Sequence, residues 1–189
     1  MEPSKGELEG GSLQRTGGCQ DPAKVRYSLA MQKHHSGLTA LARFQPRDAA
    51  FESRVRDSFA RQALMRTIGA ELARIEPGRV EIALPFRADL TQQHGYLHAG
   101  ITSTIADSAG GYAGFSLFPA ESSVLTVEFK INLLAPAAGE RFVAIGEVVR
   151  PGRTLTICRL EVTALKGEQR TLIAIGQQTL ICLEGQPDR

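Results

Sequence analysis

The residues best suited to chemistry lie in one stretch, 92–115, which reads QQHGYLHAGITSTIADSAGGYAGF. A single acid, Asp107, sits among small residues: Ala99, Gly100, Ser103, Ala106, Ser108, Ala109, Gly110, Gly111, Ala113 and Gly114. A carboxylate held there against a closely packed neighbour is partly dehydrated and poised for chemistry. Upstream, His98 falls at the cap of a helix that begins at Ala99. The free N–H groups of Ala99, Gly100 and Ile101 then point at the helix N-terminus, where the dipole favours negative charge. An oxyanion growing from a carbonyl is stabilised in such a place. On a regular helix, His98 and Asp107 stand about two and a half turns and roughly 13 Å apart, on opposite sides. They are no acid–base dyad within one chain. Either they have separate roles, or each works with its counterpart from a second subunit. Two blander readings stand beside these: Asp107 as a satisfied or solvated carboxylate, and His98 as a capping or packing histidine. His94 reads as a loop residue. Ser103 and Thr104 can bond Asp107 or bond back to the helix. No G-x-S-x-G elbow is present to support a serine nucleophile.

A helix so rich in glycine is poor on its own, each interior glycine costing about 1 kcal/mol against alanine. It needs a sheet wrapped closely around it. The chain supplies candidates on both sides. Upstream, Asp57 or Ser58 can cap a helix in which Phe59, Ala60, Ala63, Leu64, Thr67 and Ile68 recur at helical spacing, ended by Gly69. Runs 72–76 and 80–85 flank Pro77-Gly78 as a hairpin. Downstream, Leu125, Val127, Phe129, Ile131 and Leu133 alternate with polar residues, the cleanest period-two pattern in the chain. Runs 142–149, 154–165 and 171–183 follow, separated by turns at 136–139, 150–153 and 166–169, which predicts a four-stranded antiparallel meander. The parity of 154–165 changes between Leu155/Ile157 and Leu160/Val162. A bulge near Cys158-Arg159, or cover on both faces of the sheet, accounts for it. The fold class expected is α+β, a long antiparallel sheet curled around one central helix.

Composition narrows the rest. The chain has 189 residues, 42% hydrophobic, with net charge +2. That suits one domain with a tail and provides no electrostatic footprint for nucleic acid. No run approaches a membrane span and no secretory signal pattern opens the chain. Cys19, Cys158 and Cys182 have neither a disulfide framework nor a metal spacing, so a reduced, cytoplasmic protein is expected. Residues 1–47, rich in Gly, Ser, Gln and basic side chains, are expected to form a disordered extension. That extension holds a thin helical pattern over 29–44 and the His34-His35 pair; the folded domain is expected over 48–185.

The run from Gln92 through Gly95, His98, Ala99 and Gly100, followed by Asp107, resembles the PaaI-like branch of the hotdog-fold acyl-CoA thioesterases. The pattern of that branch is Asn-x-x-Gly-x-x-His-Gly-Gly with an acid on the central helix, and the similarity covers roughly 57–183. The resemblance implies a hotdog fold and hydrolysis of acyl-CoA to a carboxylic acid and coenzyme A, with no cofactor and no metal. By position it implies that Asp107 is the catalytic acid, that the Ala99 amide polarises the thioester carbonyl with Gly100 beside it, and that His98 positions that turn. Gln92 stands where the family has an Asn that holds water or the leaving group. Thr126 matches a Ser/Thr position near the acid across the dimer; its parity, opposite to Leu125, places it away from the helix of its own subunit. Arg150 and Arg153 bracket a turn and are candidate coenzyme A phosphate contacts, with Lys130 behind them. Phe59, Leu64, Phe115 and Phe118 are candidates to line the acyl pocket, which points to medium or long chains. A homodimer or homotetramer with shared sites is expected, without nucleic-acid or membrane partners. The alternatives are a hotdog acyl-thioester hydratase or dehydratase, and a non-catalytic acyl-CoA-binding protein.

Overall fold

The structure, a computed structural model, describes residues 44–188. The expectations for 1–43 lie outside those residues; of the extension, only 44–47 is described, and Phe44 already packs against the core.

The first helix starts earlier than the spacing predicts. Helix α1 runs Phe51–Arg61 and α2 runs Ala63–Ile68. Asp48 sets the start, its Oδ1 accepting the Ala50 N–H at 2.9 Å. Gln62, with ψ of 100°, breaks the helix in two. Gly69, at φ of 76°, ends α2 as predicted. The break turns the buried face to Val55, Ser58, Met65 and Ile68, and leaves Leu64 52% exposed.

Strands β1 (Glu71–Glu76) and β2 (Arg79–Pro85) form the expected hairpin, with Gly78 at φ of 77°. The central helix α3 spans Ala99–Phe115, and strands β3 (Ser122–Leu133), β4 (Arg141–Arg150), β5 (Leu155–Lys166) and β6 (Gln169–Glu184) follow. All six strands join one antiparallel sheet in the order β1-β2-β4-β5-β6-β3. The sheet closes on α3 where small residues admit it. At Gly110 a Cβ would lie 2.5 Å from Leu160, and at Gly146 of β4 a Cβ would lie 2.3 Å from the backbone of Ala109. The glycines that weaken α3 as a free helix are thus what let the sheet reach it.

The expected meander holds only for β4, β5 and β6. Strand β3 pairs with β6 at the far edge, and β4 pairs with β2. The turn expected at 136–139 is part of a crossover, 134–140. Leu134 N–H still reaches Ile173 O at 2.8 Å, Ala137 O accepts from Leu97 N–H at 3.1 Å, and Glu140 N–H reaches Leu165 O at 2.7 Å. It passes across the turn that precedes α3.

The parity puzzle in β5 also resolves differently from a bulge at Cys158. Thr156, Cys158, Leu160, Val162 and Ala164 all face the helix in one unbroken phase, and Leu155 and Ile157 belong to the outer face. The register shifts fall at Val148/Arg150 and Val162/Thr163. Cys158 packs under α3, and burial pushes its thiol up to about 12. Because the thiolate is the reactive form, Cys158 is expected to stay unmodified by iodoacetamide at pH 8 in the folded protein and to react on unfolding, as peptide mass spectrometry would show.

Arg54 of α1 holds the other end of α3. Its guanidinium donates to Phe115 O (3.2 Å), Phe118 O (2.8 Å), Ala120 O (3.0 Å) and Pro119 O, and lies 4.3 Å from the centre of the Phe115 ring. These carbonyls lie at and just beyond the helix C-terminus, where cations are favoured. Burial lowers the guanidinium from its ordinary range, opposed by Asp48, whose carboxylate lies 3.2 Å away. Arg54→Met is expected to cost about 3 kcal/mol, since it removes a charged donor from part-buried carbonyls and leaves the Asp48 carboxylate without its cation. Denaturant unfolding would measure the loss, and Arg54→Lys should restore only part of it, because one ammonium cannot span the four carbonyls.

Candidate active site

Two parts of the site are built on α3. The first is its N-terminus. The preceding turn closes on itself through the Thr91–Leu97 bridge, Gln92 N–H to Tyr96 O (2.9 Å) and Gly95 N–H to Gln92 O (2.9 Å). Gly95 is needed for its φ of 81°. Gln92 Oε1 accepts from His94 N–H, so its side chain braces the turn. His98 is the helix cap, as its place before Ala99 predicts. Its Nδ1 accepts the Gly100 N–H at 2.9 Å, and its carbonyl accepts from Ile101 (3.0 Å) and Thr102 (3.1 Å). Ala99 and Gly100, the expected oxyanion donors, differ in this respect. The Gly100 amide is spent on the cap, and the Ala99 N–H alone is left without an acceptor among the described residues. With Nδ1 as acceptor, neutral His98 carries its proton on Nε2.

The second part is Asp107. Thr126 Oγ1 donates to its Oδ1 at 2.8 Å, and Gln178 Nε2 donates to the same oxygen at 2.7 Å. Among the described residues Oδ2 has no hydrogen-bond partner. Asp107 lines a cavity of about 480 Å³ with Ser58, Arg61, Gln62, Ser108, Tyr112 and Val124. Tyr112 OH lies 3.2 Å from Ser58 Oγ, and burial pushes the phenol above its usual range. At the same cavity, Arg61 pairs with Asp188 at 2.5 Å. Ser103 and Thr104 bond back to Ala99 O (2.9 Å) and Gly100 O (2.8 Å) rather than to Asp107.

The contact between Thr126 and Asp107 overturns the parity argument. Between Thr126 and Glu128 the register of β3 shifts by one residue, a bulge at Val127. Leu125 therefore pairs with Ile181 on the outer face, while Thr126 pairs with Leu180 and Phe129 with Gln178 on the helix side. Thr126 serves the Asp107 of its own chain. Gln178 was not foreseen. Its side chain is fully buried, and the only local signal is inward parity with Leu180 and Cys182.

Ala99 and Gln92 line a different cavity, of about 270 Å³, with Leu133 and Pro136. One chain thus keeps the amide and the acid apart, as their spacing predicts. Arg153 lines a third cavity, of about 240 Å³, with Leu117 and Phe118 beyond the end of α3, and Arg150 ends β4; neither lines the Asp107 cavity. None of Phe59, Leu64, Phe115 and Phe118 lines it either. Phe59 stacks edge-on against Tyr112 at 5.8 Å, and Phe115 is core.

An antiparallel sheet curled around one long helix, with the acid on the helix and a capped turn before it, defines a hotdog-fold protein. A sequence profile of the thioesterase superfamily matches residues 94–171. The crystal structure of a thioesterase family protein from Silicibacter pomeroyi is 53% identical, with a TM-score of 0.71, and the match covers 71% of this chain and 99% of that one. A protein of Saccharolobus solfataricus, provisionally named an esterase, is 30% identical over 105 residues, covering 56% of this chain and 74% of its own. The 1,4-dihydroxy-2-naphthoyl-CoA hydrolase of Listeria monocytogenes is 25% identical over 117 residues, covering 62% and 93%. The chain belongs to the thioesterase superfamily.

Proposed function

We propose that this thioesterase hydrolyses acyl-CoA: water and the thioester yield a carboxylic acid and coenzyme A thiol. The observation that carries the reading is the Asp107 carboxyl, tied down through Oδ1 with Oδ2 left free beside a cavity. Oδ2 takes a proton from the attacking water, or attacks the carbonyl itself. The Ala99 N–H stabilises the oxyanion; because it opens on another cavity, it acts on the thioester that faces the partner's Asp107. His98 holds the turn that aims this amide, and Gln92 braces it. With Nδ1 occupied by the cap, His98 is ill suited to the acid–base role a dehydratase needs. Arg150 and Arg153 are left as phosphate contacts across the subunit boundary.

Shared sites need an assembly, and β3 supports one. It is a 12-residue edge strand on which Val127, Phe129 and Leu133 are exposed. Such an edge is ready to pair with another copy, in a homodimer or a homotetramer. The polar side chains around Asp107 favour short or polar acyl groups over long alkyl chains. No helix among the described residues is long and apolar enough to cross a membrane.

A thiol-release assay over acyl-CoAs of graded length, with one aromatic thioester included, tests the reading. Turnover is expected, fastest on short or polar acyl groups. Tight binding without thiol release would replace hydrolysis with a non-catalytic binding role.

A further inference from the structure

We propose that Gln178 is a positioning residue for the reaction: its buried amide orients the Asp107 carboxyl so that Oδ2 faces the cavity. The inference rests on Asp107 being the working acid. Gln178 Nε2 lies 2.7 Å from Asp107 Oδ1, 3.1 Å from Asp107 O and 2.9 Å from Thr126 Oγ1. Only donors satisfy that spot. The reversed amide would set Oε1 against a carboxylate and a carbonyl, so these acceptors determine which end of the side chain points in. Thr126 adds its hydroxyl proton to Oδ1 at 2.8 Å. Two donors on one oxygen hold the carboxyl plane and leave the other oxygen to the substrate.

Among the described residues Gln178 Oε1 is buried without a hydrogen-bond partner, a cost that a hydrophobic side chain would avoid. Room for it exists only because position 110 is glycine: a Cβ there would come within 1.9 Å of Oε1. A buried glutamine with an orphaned oxygen, facing a helix position stripped to hydrogen, is poor core packing. It makes sense as a device for fixing the acid.

Steady-state kinetics on the full chain, with Gln178→Met and Thr126→Val, test this. Methionine matches glutamine in length and lacks the donor. Gln178→Met is expected to lower kcat by about 10- to 100-fold, the scale of a misplaced catalytic group, with KM within about twofold and Tm unchanged or raised. The double variant should lose less than the product of the single losses, since both act on one oxygen. A Gln178→Met enzyme with wild-type kcat, alongside an inactive Asp107→Asn, overturns the positioning role and leaves the acid in place. A fully active Asp107→Asn overturns both. Gln178→Leu carries the same comparison if the methionine variant does not fold. A crystal structure of the variant reads the outcome without turnover: a rotated Asp107 carboxyl supports the proposal, and an unmoved one overturns it.

Discussion

Asp107→Asn is expected to lower kcat on acyl-CoA by at least about two orders of magnitude, the usual scale for a lost general base, with Tm close to wild type. The expectation of an intact fold comes from the asymmetry of the carboxyl. Thr126 and Gln178 both donate to Oδ1, and an amide oxygen accepts those bonds equally well. What changes is the other position, where a lone pair facing the cavity becomes an NH₂ group that can neither take a proton nor attack. Kinetics and a thermal melt on one preparation check both halves. A variant that keeps its rate would remove Asp107 from the mechanism, and one that unfolds would make it a structural carboxylate.

Gly146→Ala is expected to be among the most damaging small substitutions in the chain. The added methyl would lie 2.3 Å from the carbonyl of Ala109 and from the Gly110 nitrogen. These are backbone atoms of α3 and cannot rotate aside, so β4 and the helix must separate. Overpacking typically costs about 1–3 kcal/mol when side chains can adjust, and here the upper end is the starting point. In a domain of this size, about 3 kcal/mol corresponds to a Tm lower by roughly 6–12 °C. Gly111→Ala is the control. Beyond the neighbouring backbone of its own helix, nothing among the described residues lies within 4 Å of its new methyl, and the gain in helix propensity should stabilise by several tenths of a kcal/mol. Calorimetry on the pair separates glycines that make room from one that does not.

The central helix was legible because its signals are local. A turn containing Gly95, a capping side chain at His98 and a run of small residues lie within a few positions of one another. The need for a closely wrapped sheet followed from composition, and Gly110 and Gly146 show where it is met. Strand β3 was legible as a strand but not in its facing. Leu125 to Leu133 keep perfect alternation, yet the bulge at Val127 inserts one residue and puts Leu125 and Phe129 on opposite faces. Nothing in the alternation marks a bulge, because Val127 suits either side. The place of β3 in the sheet was hidden for a different reason. A crossover containing Pro136 and Gly139 has the composition of a hairpin turn, and only the pairing of β4 with β2 distinguishes them. Gln178 escaped because its partners, Asp107 and Thr126, are 71 and 52 positions away in the chain. A polar residue in a buried strand announces a partner without naming it.

The path of the chain after Thr126 links matters that look separate. Strand β3 carries the residue that bonds Asp107, continues along the open edge of the sheet, and runs directly into the crossover whose Ala137 carbonyl holds Leu97, two residues before Ala99. A neighbour that settles on this edge therefore grips a lever with an end in each half of the chemistry. Stiffening the strand is expected to steady Asp107 and the Ala99 turn together. Specific activity would then depend on protein concentration, falling on dilution even where every chain stays folded.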